Sequence, residues 1–184
     1  MSMPLTRRRL LIATLIAAGM QSAVIGSMVS SNSAILEDGA EVTLRAQPVD
    51  PRDLLRGEYV TLGYSFTALN AALIKDPWPT VPGTQTLWLR LTPGSDGVSD
   101  VSEASFEPLE AEAGSVVLKS DAFTFNPTTE KPMVVRATYG LERYYVPEGQ
   151  GKALEAARDT HRILVHARIT PEGAARIASV TVEP

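Results

Sequence analysis

An uncharged apolar segment near the N-terminus constrains the fold more than any other feature of this chain. Residues 10–29 carry no charge, and Gln21 is their one strongly polar side chain. An α-helix rises about 1.5 Å per residue, so a segment of this length spans the roughly 30 Å hydrocarbon core of a bilayer. Arginines occupy positions 7–9 directly before it. Because cationic residues stay on the cytoplasmic side, the sequence predicts residues 1–9 as a cytoplasmic basic tip and residues 10–29 as a single transmembrane helix.

Two other kinds of targeting segment have a similar composition and are alternatives to the transmembrane anchor. In a cleaved signal peptide, residues 10–19 would form the apolar region and the cleavage site would lie between residues 22 and 34. A twin-arginine export signal would be carried by the stretch TRRRLL. The uncleaved anchor is favoured because the apolar stretch continues well past residue 19. All three alternatives export the remainder, which divides into a tether, residues 30–40, and an extracytoplasmic β-rich domain, residues 41–184.

The charge balance of the exported part excludes one class of partner. Residues 30–184 contain 14 basic and 21 acidic residues, a net charge of −7. Nucleic-acid binding depends on clustered cationic side chains that release counterions from phosphates, so no nucleic-acid partner is expected. The chain has no cysteine, which excludes disulfides, cysteine-based zinc sites and thiol nucleophiles. Packing and hydrogen bonds must therefore hold the domain together.

Apolar and polar residues alternate along much of the exported part, a pattern typical of β-strands. In residues 58–64, Val60, Leu62 and Tyr64 share one predicted face and Tyr59 lies on the other. Further strand candidates are residues 41–47, 87–91, 115–120, 132–140, 163–169 and 174–182. The pattern in 132–140 predicts one face made of Met133, Val135, Ala137 and Tyr139.

Turn residues and one helical pattern complete the predicted fold. Residues 92–97 form a predicted turn between two strands, and Pro171 to Gly173 form a second one before the last strand. One short helix is predicted to start near Gly151, with Leu154, Ala157 and Arg158 at helical spacing. The sequence thus predicts a mainly β fold, antiparallel and barrel- or sandwich-like, with one short helix and an N-terminal transmembrane helix.

Two stretches carry the most distinctive residue patterns, GEYVTLGY at residues 57–64 and YGLERYYVPEGQGKALE at residues 139–155. Together they resemble a family of small membrane-anchored bacterial proteins named for the motif GDYXXLXY, with Glu58 standing where the family motif has aspartate. The second stretch is similar to a Tyr-Gly-x-Glu-Arg-Tyr/Phe-x-Val-Pro-Glu-Gly segment of the same proteins. The resemblance covers nearly the whole chain, because the N-terminal anchor fits as well.

The resemblance implies a location and a class of partner, because the family itself is essentially uncharacterised. Such proteins are often fused to, or encoded beside, multi-pass membrane domains. The expected location is therefore the bacterial inner (cytoplasmic) membrane, with a single-pass anchor and the C-terminal domain in the periplasm or another extracytoplasmic space. The expected partner is a multi-pass protein of the same membrane.

Charged residues cluster just before the motif strand and predict a network that orders a turn. Asp50 can accept backbone N–H groups in an Asx turn, and Gly57 permits a left-handed or closely approached backbone. Glu58 lies at the edge of the core and needs a cationic or N–H partner, which Arg52, Arg56 or Arg143 can provide. This network consists of Asp50, Arg52, Asp53, Arg56, Gly57, Glu58, Tyr59, Leu62 and Tyr64. A structural role is favoured over a catalytic one, because ion networks that order turns perturb pKa values as active sites do.

A second group of charged residues surrounds the predicted start of the short helix. Its members are Glu142, Arg143, Glu148 and Lys152. The N–H groups of residues 149–152 and the Lys152 ammonium form a possible anion site at the helix start, which competes with a plain glycine-rich turn. A third feature is a set of aromatic residues that, if exposed, could line a glycan or peptide groove: Tyr59, Tyr64, Tyr144, Tyr145, Trp78 and Trp88. This role competes with core packing, which is the commoner role of tyrosine and tryptophan on strands.

Few residues suit a catalytic or metal site. His161 and His166 are the only histidines, and their spacing places them on opposite faces of a strand, so no metal site and no cofactor are expected. The most plausible chemistry is a carboxylate pair, Glu58 with Glu142, in a cell-envelope hydrolase, which requires the two groups to lie roughly 5–10 Å apart. No confident catalytic residue emerges from the sequence.

The sequence therefore supports two hypotheses. The first is a membrane-anchored extracytoplasmic binding or accessory domain without enzymatic activity, partnered by a multi-pass membrane protein. The alternative is the envelope hydrolase. Neither hypothesis identifies a small-molecule ligand.

Overall fold

The computed structural model describes residues 5–48, 59–128, 131–146 and 151–183. The chain divides into two compact units, Met1–Ala34 and Ile35–Pro184. Helix α1, Leu5–Asp38, supplies the whole described part of the first unit. Leucine, isoleucine, alanine and methionine favour a continuous helix, and no proline interrupts this one.

Helix α1 contains the one candidate membrane span among the described residues. The segment Arg9–Asp38 includes a window with a mean hydropathy of 1.8, none of which is buried. Its length and composition allow it to cross a membrane, a test that signal sequences near an N-terminus also pass. Helix α1 continues through most of residues 30–40, the predicted tether, and ends at Asp38. The helix ends just before Gly39, where a Cβ atom would lie 2.5 Å from the Ile35 carbonyl oxygen.

The second unit is built from short antiparallel strands and one short helix, as predicted. Its described strands are β1 (Ala40–Arg45), β2 (Tyr59–Thr61), β3 (Ala68–Asn70), β4 (Gly83–Gln85), β5 (Trp88–Pro93), β6 (Ser99–Ser105), β7 (Val116–Lys119), β8 (Phe123–Phe125), β9 (Val134–Arg136), β10 (Arg143–Tyr145), β11 (Ile163–Ile169) and β12 (Ala175–Val182). Helix α2 is Gly151–Asp159, and two 3₁₀ turns lie at Ser65–Thr67 and Ala71–Leu73.

These strands group into five small sheets. Two of the sheets have three strands, in the orders β1-β11-β12 and β6-β5-β7, and the other three are the pairs β10-β2, β3-β9 and β4-β8. All strand pairings are antiparallel. Both predicted hairpins are present, β5 with β6 and β11 with β12.

The alternation in β11 places its residues as predicted. Ile163, Val165, Ala167 and Ile169 are all buried, while the residues between them are half-buried. The same rule fails in residues 132–140. There β9 is only three residues long, and Met133 is 87 % exposed although Val135, Ala137 and Tyr139 are buried. The prediction for Met133 is therefore wrong, because β9 begins only at Val134, after that residue.

One hydrophobic core joins the small sheets. Near the motif strand it is organised by aromatic rings. The Tyr64 ring stacks on Phe66 with centroids 4.9 Å apart, and Tyr139 meets Phe66 edge-on at 5.1 Å. Offset-stacked and edge-on pairs are the favoured aromatic geometries. They pack the chain that follows β2 against the chain that precedes β10.

Candidate functional site

The described residues include part of each predicted charged cluster. Tyr59, Leu62, Tyr64, Glu142 and Arg143 are described in full. Lys152 is described only as part of helix α2, without its side chain. The other predicted residues lie outside the described residues: Asp50, Arg52, Asp53, Arg56, Gly57, Glu58 and Glu148. The separation of the Glu58 and Glu142 carboxylates and the suggested anion site at residues 149–152 therefore stay predictions.

The two distinctive stretches pair with each other. Strand β2 of the first lies antiparallel to β10 of the second, with Thr61 opposite Arg143 and Tyr59 opposite Tyr145. The Leu62 N–H donates to the Glu142 carbonyl oxygen at 2.9 Å. Hydrogen-bonded and non-hydrogen-bonded pairs alternate along an antiparallel ribbon, so these two opposed pairs are non-hydrogen-bonded and their side chains lie close together.

One face of this ribbon belongs to the core. Val60, Leu62 and Tyr64 are buried, as the alternation predicts. The Tyr64 hydroxyl donates to the Leu141 carbonyl oxygen at 2.8 Å. Burial, with a smaller contribution from the Glu142 carboxylate, raises the pKa of Tyr64 far above its ordinary value. Because its ring is sealed in the core, Tyr64 does not line a groove.

Glu142 has a structural contact in the turn before β10. Its carboxylate oxygen Oε1 accepts the Tyr139 N–H at 2.7 Å. Between them Gly140 has a φ of 74°, a left-handed conformation that glycine adopts without steric cost. Burial, followed by the Glu142 charge, raises the pKa of Tyr139. The Tyr-Gly-Leu-Glu order of the second stretch is thus explained by a turn that one carboxylate closes.

The opposite face of the ribbon is open to solvent. We call it the ribbon face and define it as Tyr59, Thr61, Arg143 and Tyr145. The Tyr59 and Tyr145 rings are 5.9 Å apart, and the Arg143 guanidinium lies 5.6 Å from the centroid of the Tyr59 ring. The Tyr145 side chain is 72 % exposed, and Arg143 is also exposed. The face therefore presents two rings and one cation that the core does not use.

Arg158 is the residue at this site whose role the sequence analysis missed. It is 1 % exposed and lies on helix α2. Its Nη1 donates to the Thr61 carbonyl oxygen at 2.9 Å, while Nε and Nη2 donate to Asp159 Oδ1 at 2.9 and 2.8 Å. An arginine at helical spacing from Leu154 and Ala157, on the apolar side of a short helix, indicates such a buried partner. The spacing of these three residues in the sequence predicts the helix but does not identify the acceptor of Arg158.

The remaining candidates are dispersed. Trp78 packs on Phe106 at 5.3 Å, and Trp88 lies beneath the Lys119 ammonium at 5.0 Å. The six aromatic candidates therefore do not line one groove, because Tyr64, Trp78 and Trp88 pack against different neighbours. His166 on β11 lies between the Thr43 and Thr181 hydroxyls, 3.2 Å from each. The other histidine, His161, lies just beyond the end of α2. Among the described residues, no group of three or more His, Asp or Glu side chains is placed to hold a metal ion.

Comparison with known proteins gives one match. Neither a curated protein nor a solved structure matches the chain. The sequence model of the GDYXXLXY protein family matches residues 21–180, which include both paired stretches. The matched span extends from within the apolar helix almost to the end of β12. On this match and on its two characteristic stretches, the chain belongs to the GDYXXLXY family.

Proposed function

We propose that this protein is a membrane-anchored binding or accessory domain that docks through its ribbon face onto a multi-pass protein of the same membrane. The anchor is helix α1, whose length and composition suit a membrane span. The three arginines before the apolar segment favour a cytoplasmic N-terminus, which would place residues 35–184 outside the cytoplasm of a bacterial cell.

The composition of the ribbon face is the observation that carries this proposal. Two stretches about 80 residues apart in sequence pair so that Arg143 and Tyr145 stand exposed beside Tyr59. Arginine and tyrosine are enriched among residues that dominate binding energy at protein interfaces. The Arg143 and Tyr145 side chains are not required by the core, which uses Val60 on the other side of the ribbon.

The rigidity of the ribbon supports the same conclusion. The Arg158 bond to Thr61 and the Leu62 bond to Glu142 hold β2 on both of its edges. Tyr59 and Arg143 are further restrained by their mutual contact. A surface whose side chains are already ordered loses less conformational entropy when a partner binds.

The test is co-isolation of the full chain from native membranes in mild detergent. The variant Arg143→Ala/Tyr145→Ala should lose a multi-pass membrane protein that the unchanged chain retains in fixed proportion. The domain should stay folded, with a loss of no more than about 1–2 kcal/mol, because an exposed cation–π contact contributes about 0.5–1 kcal/mol and an aromatic pair about 0.5–1.5 kcal/mol.

A matched control is Met133→Ala/Arg136→Ala. This variant also removes an exposed apolar side chain and an exposed arginine, near β9 instead of the ribbon face. It should retain the partner. A chain that is isolated alone, or a partner that both double variants retain equally, would contradict the proposal.

One further variant distinguishes the proposed binding domain from the hydrolase alternative. The Glu142 carboxylate accepts a backbone N–H, and a neutral amide oxygen accepts the same bond. Glu142→Gln should therefore keep the fold and the partner. A hydrolase that uses Glu142 as acid or base would instead lose its function in this variant while remaining folded.

A further inference from the structure

Gln21 is a polar residue in the middle of an apolar helical surface. It lies near the centre of residues 10–29, and its side chain is exposed. The described chain shows no hydrogen bond to its amide, whereas Thr14 and Ser27 on the same helix bond to the carbonyl oxygens of Leu10 and Val24. Within the span of the proposed anchor, the Gln21 amide thus has no partner in its own helix.

The helix surface around Gln21 permits close approach. Ala17 and Ala18 precede it by four and three residues, so they lie on the same face. Helical side chains lean toward the N-terminus, which places the Gln21 amide over this pair of alanines. Thr14 and Ile25 continue the same face, seven residues before and four residues after Gln21. No large side chain in the preceding turn of this face screens the amide.

Inside a membrane, the Gln21 amide needs a hydrogen-bond partner from another helix. Water is absent from the hydrocarbon core, so a primary amide gains from any hydrogen bond that another helix offers. An amide carries both donors and an acceptor, which makes it complementary to itself. All copies of this chain enter the membrane in the same direction, so two parallel copies related by a twofold axis bring Gln21 to Gln21 at the same depth. A copy of the chain therefore always supplies the required group, whereas another helix supplies it only if a polar residue lies at that depth.

We infer that helix α1 pairs with α1 of a second copy of this chain, in parallel, through the face that contains Ala17, Ala18 and Gln21. The inference rests on the proposed membrane anchor. It goes beyond that proposal because it assigns the helix a partner of its own, separate from the ribbon face. Each dimer then presents two ribbon faces to the partner protein.

The absence of cysteine from the chain allows a direct test by single-cysteine cross-linking. Full-length variants Thr14→Cys and Ile25→Cys place a thiol on the proposed face. Ile12→Cys and Ala23→Cys are matched controls, because each thiol lies two residues away, at similar depth, on the opposite side of the helix. Membranes are oxidised with copper phenanthroline and analysed by non-reducing electrophoresis. The same membranes are washed with alkaline carbonate to test whether the chain is embedded.

We expect disulfide dimers from Thr14→Cys and Ile25→Cys but not from the two controls. Adding Gln21→Leu should weaken association roughly 3- to 20-fold, the range found for hydrogen bonds between transmembrane helices. Gln21→Asn, which keeps an amide, should restore most of it.

The outcomes separate this inference from the proposed function. Release of the chain by carbonate would overturn both. A chain that is retained in the membrane but gives no dimers, gives them equally from both sides of the helix, or dimerises as well with Gln21→Leu, would overturn the pairing alone. Exclusive cross-linking to a different membrane protein would also overturn it, in favour of a helix of that protein as the occupant.

Discussion

The Arg158 guanidinium on helix α2 donates to the Thr61 carbonyl oxygen on strand β2 at 2.9 Å. This bond joins the helix that begins within the second distinctive stretch to the strand of the first. Thr61 is in a non-hydrogen-bonded pair with Arg143, so its carbonyl points away from β10 and would be unpaired without Arg158. One buried cation therefore completes the edge of the motif strand.

Replacing Arg158 should cost more stability than replacing any other arginine near α2. Arg158→Ala leaves the Thr61 carbonyl unpaired and removes a side chain that is 1 % exposed, so we expect a loss of about 2–3 kcal/mol in the free energy of unfolding. Arg162→Ala is the control, because that side chain is exposed and, within the described part of the chain, bonds only the Thr160 hydroxyl; its cost should stay below about 0.5 kcal/mol. Denaturant unfolding of the full chain in detergent measures both, and equal costs would show that the Thr61 bond is dispensable.

Two buried tyrosines should respond in opposite ways to loss of the hydroxyl. The Tyr64 hydroxyl donates to the Leu141 carbonyl oxygen, whereas the Tyr139 hydroxyl has no partner among the described residues. Tyr64→Phe should therefore lower stability by about 1–2 kcal/mol, and Tyr139→Phe should be neutral or stabilising, because it removes an unpaired buried polar group. Thermal unfolding of the two variants gives the comparison. A larger loss from Tyr139→Phe than from Tyr64→Phe would be the opposite of this expectation.

The same tyrosines should set an alkaline limit on stability. Burial raises the pKa of Tyr64 and of Tyr139 in the folded chain above the unfolded value of about 10. Below pH ~10 both states keep the proton, so these groups add no pH dependence there. Above it the unfolded state releases the protons first, and stability should fall by about 1.4 kcal/mol per pH unit for each tyrosine.

Measuring the free energy of unfolding between pH 9 and about pH 11.5 checks this limit. The double variant Tyr64→Phe/Tyr139→Phe should show a clearly shallower decline. Tyr145→Phe is the control, because that ring is 72 % exposed, and it should leave the decline unchanged. Equal slopes in all three proteins would mean that other groups cause the alkaline loss.

The end of helix α2 offers a stabilising substitution. His161 has a φ of 57°, its N–H donates to the Arg158 carbonyl, and the Arg162 N–H donates to that of Ala157. This is the Schellman pattern, in which the left-handed position usually holds glycine. His161→Gly should raise the free energy of unfolding by about 0.5–1 kcal/mol, because glycine removes the steric cost at this φ. His161→Ala keeps that steric cost and should not raise the free energy of unfolding. An equal gain from both variants would show that loss of the imidazole ring, and not relief of the backbone conformation, causes the gain.

Local patterns were sufficient for much of the secondary structure. The β11 alternation, the β5–β6 turn and the start of α2 depend on residues close together in sequence, and all three are present. The Met133 prediction failed because alternation does not mark where a strand begins. Strand β9 pairs with β3 over only three residues, and β3 lies more than 60 positions away in the chain.

The same difference between local patterns and contacts of distant residues applies to the candidate site. The second stretch was identified as a unit, yet the pairing of β10 with β2 joins distant segments and is a contact that a pattern in one segment does not contain. Arg158 was visible as an arginine on an apolar helical face, but its acceptor, Thr61, lies 97 residues away.

By itself, the sequence determined the family, the antiparallel β character of the second unit and the presence of a helix apolar enough to cross a membrane. These properties follow from composition, from the spacing of apolar residues and from short motifs, all of which involve residues close together in sequence. Tertiary structure alone decided that β2 pairs with β10, which brings Arg143 and Tyr145 beside Tyr59 on the open face. It also decided that Arg158, 97 residues away in sequence, donates to the Thr61 carbonyl oxygen. Both depend on desolvation, because a buried polar group must find a partner wherever the fold brings one within reach.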